Sequence, residues 1–444
     1  VQIQRSGRHV GEPPTGPVRL EAQQFMSKAE VAKETLSANE LTSLCSRFVG
    51  VTLPLADHRV LFGGYSGTSV AVTGADGGKA VLKLCHNYTV SDAVQQAAVA
   101  AHAAASGFAG VCAPLQLIDS TSSVFARPDG TPVMMLSWVE GVAADKVLAA
   151  GKLDSAVLLS SIGAGLAALH SVPVPATASL RACEQGSGAC DVAKHMNGEL
   201  NSKMQRSEHT RAHPFVTEFY ATELTSLTHA MGAAGLPRGI LHGDPFLDNM
   251  LVDATSGRLA GFVDLEDFCI GPLIFDVACC ASACCFRTDG ALDIRRLRAL
   301  LGGYAAVRPL TCIERASFLA FMRLTMLCNC TWRFINFNID HREIAECRDA
   351  HVELQERIVA LHDDITSAAV EAVLKALPAI PTMEPPFFAR SSTVVAARHP
   401  PSLQLHAFAA AAGLTSSRRR PALLGVLVGV GAIWWVLRRA RAAH

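Results

Sequence analysis

The sequence has little charge, and the charge shows no surplus of either sign. Charged residues make up 18% of its 444 positions, against about 25% in an average soluble protein, which excludes a disordered, charge-rich chain. Lysine and arginine together number 39, as do aspartate and glutamate. Nucleic-acid-binding proteins normally carry a basic surplus, so we expect no nucleic-acid partner. Only the stretch from Arg418 to His444 is basic, with six arginines and no acidic residue.

Signals for secretion and for a metal-binding cysteine framework are also missing. Residues 1–25 contain no apolar run, which excludes a secretory signal there, and we interpret them as a disordered leader. Fourteen cysteines are too dilute for a disulfide scaffold. The four cysteines between positions 279 and 285 lack C-x-x-C spacing and lie in an apolar run. We therefore predict that they are buried thiols rather than ligands.

Composition divides the rest of the chain into a two-part body, a linker and a tail. Residues 26–139 show short strand patterns with one long helix pattern, and residues 140–377 are mainly helical. Residues 378–420 are rich in Pro, Ala and Ser, which predicts a linker. The fold class expected from this order is α+β, with a small antiparallel sheet and one helix followed by a larger helical lobe.

The first part of the body predicts a compact hairpin sheet. Asp76-Gly77-Gly78 is a two-strand turn signal, and Ser91 can begin a helix that ends near Gly107. The expected strands cover residues 58–62, 69–73, 80–85 and 133–139, and an earlier helix is expected over residues 27–48.

The apolar segment from Pro421 to Leu437 predicts a membrane anchor. It has 17 residues with arginines on both sides; at 1.5 Å per residue it would extend about 25 Å, near the lower limit for crossing a bilayer. Trp434 and Trp435 lie where an interfacial aromatic belt would be. We expect a C-terminal tail anchor with the catalytic body facing the cytosol, the organelle being undetermined; the alternative is a buried C-terminal helix.

The strongest chemical signal is the octapeptide from His242 to Asn249, which lies between two strand patterns. Its H-x-D-x-x-x-x-N spacing is that of a kinase catalytic loop. Asp244 is then the candidate base for the proton of an attacking hydroxyl, and Asn249 a candidate Mg²⁺ ligand. Asp264, after the next predicted hairpin, would join Mg²⁺ to the β- and γ-phosphates of ATP. The alternative is a simple turn with Asp and Asn as caps.

Features upstream of this loop predict an ATP-binding cleft. A glycine-rich segment could cover phosphates, and we assign this role to Gly64, Ser66, Gly67 and Thr68. Lys83 lies inside an apolar strand pattern, where a cation is costly unless an anion accompanies it. Ser137 and Val139 end a strand where the chain passes to the helices, a place for backbone groups to bind adenine. An edge-strand lysine is the alternative for Lys83.

These motifs together resemble the aminoglycoside phosphotransferase/choline kinase superfamily, and within it the homoserine kinases of that fold. The resemblance covers roughly residues 40–360 and is densest between Ile240 and Arg333. It implies a two-lobe protein-kinase-like fold and ATP- and Mg²⁺-dependent phosphorylation of a small amino-alcohol, transferred directly without a covalent intermediate. His242 and Asp276 would then support the catalytic loop.

The resemblance also implies a substrate pocket. Homoserine carries an ammonium group, a carboxylate and a primary hydroxyl. Glu266 and Asp267 could hold the ammonium group, and Arg323 or Arg333 could hold the carboxylate. The alternative for each arginine is an internal ion pair or a solvated helix face.

The chain departs from the family pattern beside Lys83. Where the family's helix offers a glutamate to the lysine, this chain has Gln95 and Gln96, with Asp92 the nearest acid. Two other hypotheses therefore stay open: the same chemistry on hydroxylysine, ethanolamine, choline or an aminoglycoside, and a non-catalytic nucleotide-binding adaptor held at a membrane. Four tryptophans, two of them in the tail, make an aromatic cage for choline unfavourable. The sequence identifies no protein partner.

Overall fold

The structure is a computed structural model that describes residues 34–61, 67–86, 88–151, 153–174, 202–203, 208–230 and 235–378. Within these ranges the fold is α+β, as expected from the sequence. A lobe built on a small sheet is followed by a larger, mainly helical lobe. The predicted leader, most of the linker and the apolar tail lie outside the described residues.

A five-stranded antiparallel sheet forms the first lobe. The strands are β1 (Leu55–Leu61), β2 (Thr68–Gly74), β3 (Lys79–Leu84), β4 (Val124–Ala126) and β5 (Pro132–Ser137), in the order β1-β2-β3-β5-β4. The hairpin predicted between β2 and β3 is confirmed: Gly77 has a φ of 82°, and the Asp76 carboxylate accepts a hydrogen bond from Gly78 N at 3.0 Å.

Two helices cover opposite faces of this sheet. Helix α1 (Ala38–Cys45) and helix α2 (Val90–Ala105) both begin with capping boxes, Ser37 with Glu40 and Thr89 with Asp92. The α1 face buries Val70, Leu82 and Leu84 with Leu41, whereas the α2 face buries Met134 with Ala93 and Ala97. Side chains alternate along a strand, so Lys83, between Leu82 and Leu84, points to the α2 face.

The second lobe consists of helices around a central buried one. Its helices are α3 (Ala144–Ala150), α4 (Ser155–His170), α5 (Glu208–Arg211), α6 (Ala221–Ala230), α7 (Leu273–Cys284), α8 (Ile294–Val307), α9 (Cys312–Ile335), α10 (Val352–Leu361) and α11 (Asp364–Ala376). Helix α7 is buried along ten of its twelve residues. The cysteines at positions 279, 280, 284 and 285 are buried free thiols, which confirms their prediction as hydrophobic packing residues.

Two small sheets position the loop that contains the H-x-D-x-x-x-x-N motif and the segment that contains Asp264. β7 (Arg238–Leu241) pairs with β10 (Cys269–Pro272), and β8 (Met250–Val252) lies between β6 (Val142–Ala143) and β9 (Leu259–Phe262). The loop between β7 and β8 therefore lies beside the segment that connects β9 to β10.

Several expected elements have different limits. The helix expected over residues 27–48 is helical only from Ala38 to Cys45 within its described part. The strand expected to reach Val139 ends at Ser137, and β4 was missed because three residues are too few for a strand periodicity. The segment before α6, Phe215–Tyr220, forms a π-helix.

No helix within the described ranges is both long and apolar enough to cross a bilayer. The longest, α9, has 24 residues, but Glu314, Arg315, Arg323 and Arg333 interrupt its apolar surface. The segment 421–437 lies outside the described residues, so the tail anchor stays a prediction.

Candidate active site

The loop from His242 to Asn249 is held in one conformation by hydrogen bonds between its own residues. Asn249 Nδ2 donates to the Asp244 carbonyl oxygen at 3.0 Å and to Asp244 Oδ2 at 3.1 Å. Because both donor contacts use the amide nitrogen, the Asn249 Oδ1 lone pairs point away from Asp244. The base candidate and the metal-ligand candidate are thus brought together, as the sequence spacing predicts.

His242 forms the interior support of this loop. Its Nε2 lies 3.0 Å from the Val263 carbonyl oxygen, and its Nδ1 accepts a long hydrogen bond, 3.4 Å, from Asp244 N. Burial lowers the pKa of His242 below its ordinary value, because the charged imidazolium would lose its hydration. The ring therefore donates through Nε2 and accepts through Nδ1, which orients the backbone at Asp244.

Asp276, on α7, accepts hydrogen bonds from the backbone of the same loop. Its Oδ2 accepts from His242 N at 2.6 Å and its Oδ1 accepts from Gly243 N at 3.0 Å. The residue is fully buried, where backbone N–H groups are the usual means of satisfying a carboxylate. This geometry is the loop support that the sequence predicts for Asp276.

Gly243 lets the loop pass close to the neighbouring segment. Its φ is 84°, and a Cβ placed there would lie 2.3 Å from the carbonyl oxygen of Asp267. Only glycine combines a left-handed backbone conformation with so close an approach. The loop and the segment after β9 are consequently packed backbone to backbone.

Asp264 occupies a strained position at the end of β9. Its φ and ψ are 59° and 67°, which makes it the one non-glycine residue with positive φ among the residues that the structure describes. Such strain of about 1–3 kcal/mol is concentrated at functional sites. The preceding residue, Val263, donates from N to the Asn249 carbonyl oxygen at 2.9 Å, so Asp264 and Asn249 belong to one hydrogen-bonded unit.

Lys83 reaches this unit from the first lobe. Its Nζ lies 3.4 Å from Asp264 Oδ1, and the lysine side chain is 12% exposed. Asp92 instead caps its own helix, its Oδ2 accepting from Thr89 N at 2.9 Å. Asp264, a metal-ligand candidate, is therefore an anionic partner of Lys83.

Oxygen donors of this kind suit Mg²⁺. Within the described ranges no group of three or more His, Cys, Asp or Glu side chains could hold a metal ion. Asn249 Oδ1 and the Asp264 carboxylate supply two oxygen atoms, and Mg²⁺ commonly completes its shell with phosphate oxygens and water. The residues present fit a metal that arrives together with a nucleotide.

The glycine-rich segment is only partly described, since Gly64 and Ser66 lie outside the described residues. Gly67 packs tightly: a Cβ there would lie 2.3 Å from the Leu84 carbonyl oxygen. Thr68 is fully buried, and its Oγ1 accepts from Glu34 N at 3.0 Å and lies 3.1 Å from His86 Nε2. The Thr68 hydroxyl therefore bonds inside the first lobe, and the assignment of Thr68 to phosphate binding stays a prediction.

The connection between the lobes passes through Ser137 and Val139. Ser137 Oγ accepts from Ala113 N at 2.9 Å, and Ser137 N donates to the Ala113 carbonyl oxygen at 2.8 Å. Val139 Cγ1 lies 3.1 Å from the position of a Cβ added at Gly261, on β9. Both residues lie at the passage to the second lobe, as expected, but the Ser137 hydroxyl is used within the protein.

The four residues proposed to bind the substrate do not lie in one shared environment as far as the structure describes them. Asp267 lies against Gly243 in the catalytic loop, and the side chain of Glu266 is not among those described. Arg323 donates through Nε to Glu223 Oε1 at 2.6 Å, and Arg333 donates through Nη1 to the Ala350 carbonyl oxygen at 2.9 Å. Both arginines thus have internal partners, which is the alternative that the sequence left open for them.

His170 also supports the loop, although its local sequence does not indicate this role. His170, the last residue of α4, lies 3.2 Å through Nε2 from Asp276 Oδ2, and both side chains are fully buried. The only local signal was a histidine at the end of an apolar helix, which is more often a packing residue. Its role depends on α7, more than a hundred positions away.

Comparison with known proteins agrees with this geometry. The profile of the Phosphotransferase enzyme family (APH) matches residues 57–310, more than half of the chain. A homoserine kinase of Xanthobacter autotrophicus is 30% identical over 215 residues, which are 47% of this chain and 59% of the relative. The chain thus spans less than two thirds of the length of that curated relative.

Solved structures share the fold at low identity. An aminoglycoside phosphotransferase of Alicyclobacillus acidocaldarius superposes with a TM-score of 0.51 at 12% identity, over 78% of this chain and 98% of that one. Amicoumacin kinase, solved with AMP-PNP, Ca²⁺ and amicoumacin, superposes with a TM-score of 0.50 at 12% identity, over 78% of this chain and 96% of that one. At such identities the likeness establishes the kinase-like fold alone.

Proposed function

The chain belongs to the Phosphotransferase enzyme family, and on that premise we propose that it phosphorylates L-homoserine with ATP to give O-phosphohomoserine. The observation that carries the proposal is the arrangement of Asp244, Asn249 and Asp264 beside Lys83. A base, two oxygen ligands and a cation meet there, at the junction of the two lobes. This is the set of groups that phosphoryl transfer from a nucleotide requires.

Asp244 is the group that accepts the proton of the acceptor hydroxyl. Its carboxylate is held by Asn249 Nδ2, and its backbone by His242 and Asp276 through the loop. A base fixed in this way can meet the hydroxyl at hydrogen-bond distance without reorganising. The oxygen then attacks the γ-phosphorus of ATP in line, the bond from that phosphorus to the β-phosphate oxygen breaks, and ADP leaves, with no covalent intermediate on a residue of the chain.

Lys83, Asn249 and Asp264 provide the electrostatic part. Lys83 is largely withdrawn from water, so its charge acts more strongly on phosphate oxygens than a surface charge would. Mg²⁺, when bound, would neutralise charge on the β- and γ-phosphate oxygens. The chain contributes Asn249 Oδ1 and the Asp264 carboxylate to hold it, and catalysis derives mainly from positioning and charge stabilisation.

The choice of homoserine as acceptor rests on the curated relatives, since that of Xanthobacter autotrophicus carries this name. Asp267, which lies against Gly243 of the loop, is the candidate partner for an ammonium group, a group that homoserine shares with ethanolamine and aminoglycosides. No carboxylate-binding residue is assigned, because Arg323 and Arg333 pair with protein groups. An aminoglycoside acceptor is the second candidate, favoured by the likeness to aminoglycoside phosphotransferases.

A panel of acceptors tests the proposal. Purified protein would be incubated with ATP, Mg²⁺ and one of L-homoserine, hydroxylysine, ethanolamine, choline or kanamycin, and products would be identified by ³¹P NMR and mass spectrometry. Asp244→Asn protein serves as the control for contaminating kinases. O-phosphohomoserine formed by the wild type alone supports the proposal. Phosphorylation of kanamycin and not of homoserine would replace it by the second candidate, and nucleotide binding without any transfer would favour the adaptor hypothesis.

A further inference from the structure

A line of polar side chains, most of them buried, leads from the catalytic loop into the helices of the second lobe. Asp276 Oδ2 lies 3.2 Å from His170 Nε2, and His170 Nδ1 lies 2.8 Å from the Tyr304 hydroxyl. Arg308 Nη1 in turn donates to the Tyr304 oxygen at 3.0 Å and lies 2.9 Å from Glu314 Oε1. Four helices, α4, α7, α8 and α9, contribute to this line.

Most of the side chains in the line are buried, so the loss of a hydrogen bond between them would leave a polar group without water and without that partner. Asp276, Tyr304 and Glu314 are 0% exposed, and His170 is 5% exposed. Removing one partner of a buried polar pair leaves the other unsatisfied and costs more than the bond itself contributes. A fold that needed only packing could have had apolar side chains at these positions.

The donor directions along the line are determined by its outer end. A guanidinium group can only donate, so the Tyr304 oxygen accepts from Arg308 and the Tyr304 hydroxyl hydrogen is directed to His170 Nδ1. His170 then donates through Nε2 to Asp276 Oδ2. Asp276 thereby receives three hydrogen bonds, from His170 Nε2 and from the backbone N–H groups of His242 and Gly243.

This arrangement leaves the Asp276 carboxylate one orientation. His170 Nε2 and His242 N both donate to Asp276 Oδ2, and the backbone at His242 and Gly243 leads into Asp244. Without the Tyr304 hydroxyl, His170 Nδ1 would be buried without its donor, and the imidazole could turn toward another tautomer or rotamer. Asp276 would then hold the loop less firmly.

We propose that His170 and Tyr304 are positioning residues for phosphoryl transfer, which act through Asp276 on the catalytic loop. The proposal rests on the proposed function for its kinetic consequence. It differs from a merely structural role because it predicts an effect on the chemical step that exceeds any effect on substrate binding. Neither residue touches the nucleotide or the acceptor in this role.

Tyr304→Phe is the main test, with Tyr220→Phe as the matched control. Tyr220 is also buried, at 2% exposed, but its hydroxyl has no hydrogen-bond partner among the described residues. We expect Tyr304→Phe to lower kcat by about three- to tenfold, the rate equivalent of one hydrogen bond, with the KM values for ATP and acceptor within about twofold. Tyr220→Phe should leave both constants unchanged.

A second pair of variants separates positioning from packing. His170→Gln keeps a donor for Asp276, whereas His170→Leu does not, so Gln should restore part of the kcat that Leu loses. Hydrogen exchange at the His242 and Gly243 amides, which needs no turnover, should be faster in Tyr304→Phe than in Tyr220→Phe. Faster exchange would support loop positioning even if the acceptor panel finds no substrate.

The proposal fails if Tyr304→Phe, assayed well below its melting temperature, has the same kcat as the wild type. It also fails if the His242 and Gly243 amides of this variant exchange at the wild-type rate. It also fails if His170→Leu and His170→Gln lose activity equally. The proposed function fails on a different result, the absence of transfer by the wild-type protein, so the two failures are distinguishable.

Discussion

Lys83 of the first lobe and Asp264 of the second are joined by an ion pair, with Nζ lying 3.4 Å from Oδ1 across 181 positions of sequence. The pair lies where the two lobes meet, and the lysine side chain is 12% exposed. Part of the lysine charge is thus matched by a carboxylate that is also a metal-ligand candidate. Nucleotide phosphates would bind Lys83 and Mg²⁺ would bind Asp264, so nucleotide binding would use the two charged groups that join the lobes in this structure.

Replacing Lys83 by Ala is expected to raise the KM for ATP, because the phosphates lose their buried cation. Lys79→Ala is the matched control: Lys79 is on the same strand but pairs with Glu140 at the surface, where its side chain is 46% exposed. Surface pairs contribute little, so the control should behave as wild type. Equal kinetic constants for Lys83→Ala and Lys79→Ala would show that Lys83 has no part in ATP binding.

Asp244→Asn is expected to lower kcat by about 10²–10⁴, the usual cost of removing a general base, while ATP binding stays nearly intact. Asp248, exposed in the same loop, provides the control: Asp248→Asn changes charge by the same amount away from the Asn249 contact. Steady-state kinetics and calorimetric titration with ATP would measure both effects. A wild-type kcat in Asp244→Asn would rule out the base assignment.

Asn249→Ala and Asp264→Ala should each weaken the binding of Mg²⁺-ATP, since each removes an oxygen ligand. The loss should be larger for Asp264, which also carries charge. Calorimetry would be run with and without Mg²⁺, because a metal ligand matters only when the metal is present. Unchanged Mg²⁺-ATP affinity in Asp264→Ala would contradict the metal role.

Gly243→Ala is expected to abolish most activity, because the new Cβ would lie 2.3 Å from the Asp267 carbonyl oxygen and displace the loop. Gly77→Ala is a control with almost the same φ, 82° against 84°, but with no atom within 4 Å of the new Cβ. Both variants should lose about 1–2 kcal/mol of stability from the backbone conformation. Loss of activity confined to Gly243→Ala would show that the close approach, and not the φ alone, matters.

The tail yields a prediction about localisation. We propose that the segment Pro421–Leu437 anchors the protein in a membrane with its catalytic body in the cytosol, because the run is apolar and flanked by arginines. The 444-residue chain should then resist extraction by alkaline carbonate, whereas a chain ending at Ser417 should be soluble and active. Release by carbonate would mean that the segment is peripheral or packed. Failure of the shortened chain to fold would mean that the segment Pro421–Leu437 is part of the hydrophobic core.

The sequence by itself determined the parts of this protein that depend on neighbouring residues. The spacing of His242, Asp244 and Asn249, the hairpin at Gly77 and the strand patterns of β2 and β3 have local physical causes. Each lies in the structure where it was expected, apart from one or two residues at the strand ends. The burial of the four cysteines between positions 279 and 285 followed from the apolar run around them. The helices and strands differ from expectation mainly at their ends, where capping and short pairings decide.

Only the tertiary structure decided which distant groups meet. It paired Lys83 with Asp264, gave Arg323 the partner Glu223, and turned the Thr68 hydroxyl toward the first lobe. It also placed His170 between Asp276 and Tyr304, more than a hundred positions from either. Such contacts arise because helices pack and bury polar groups that must find partners, and the choice of partner depends on the packing angle and depth rather than on local sequence.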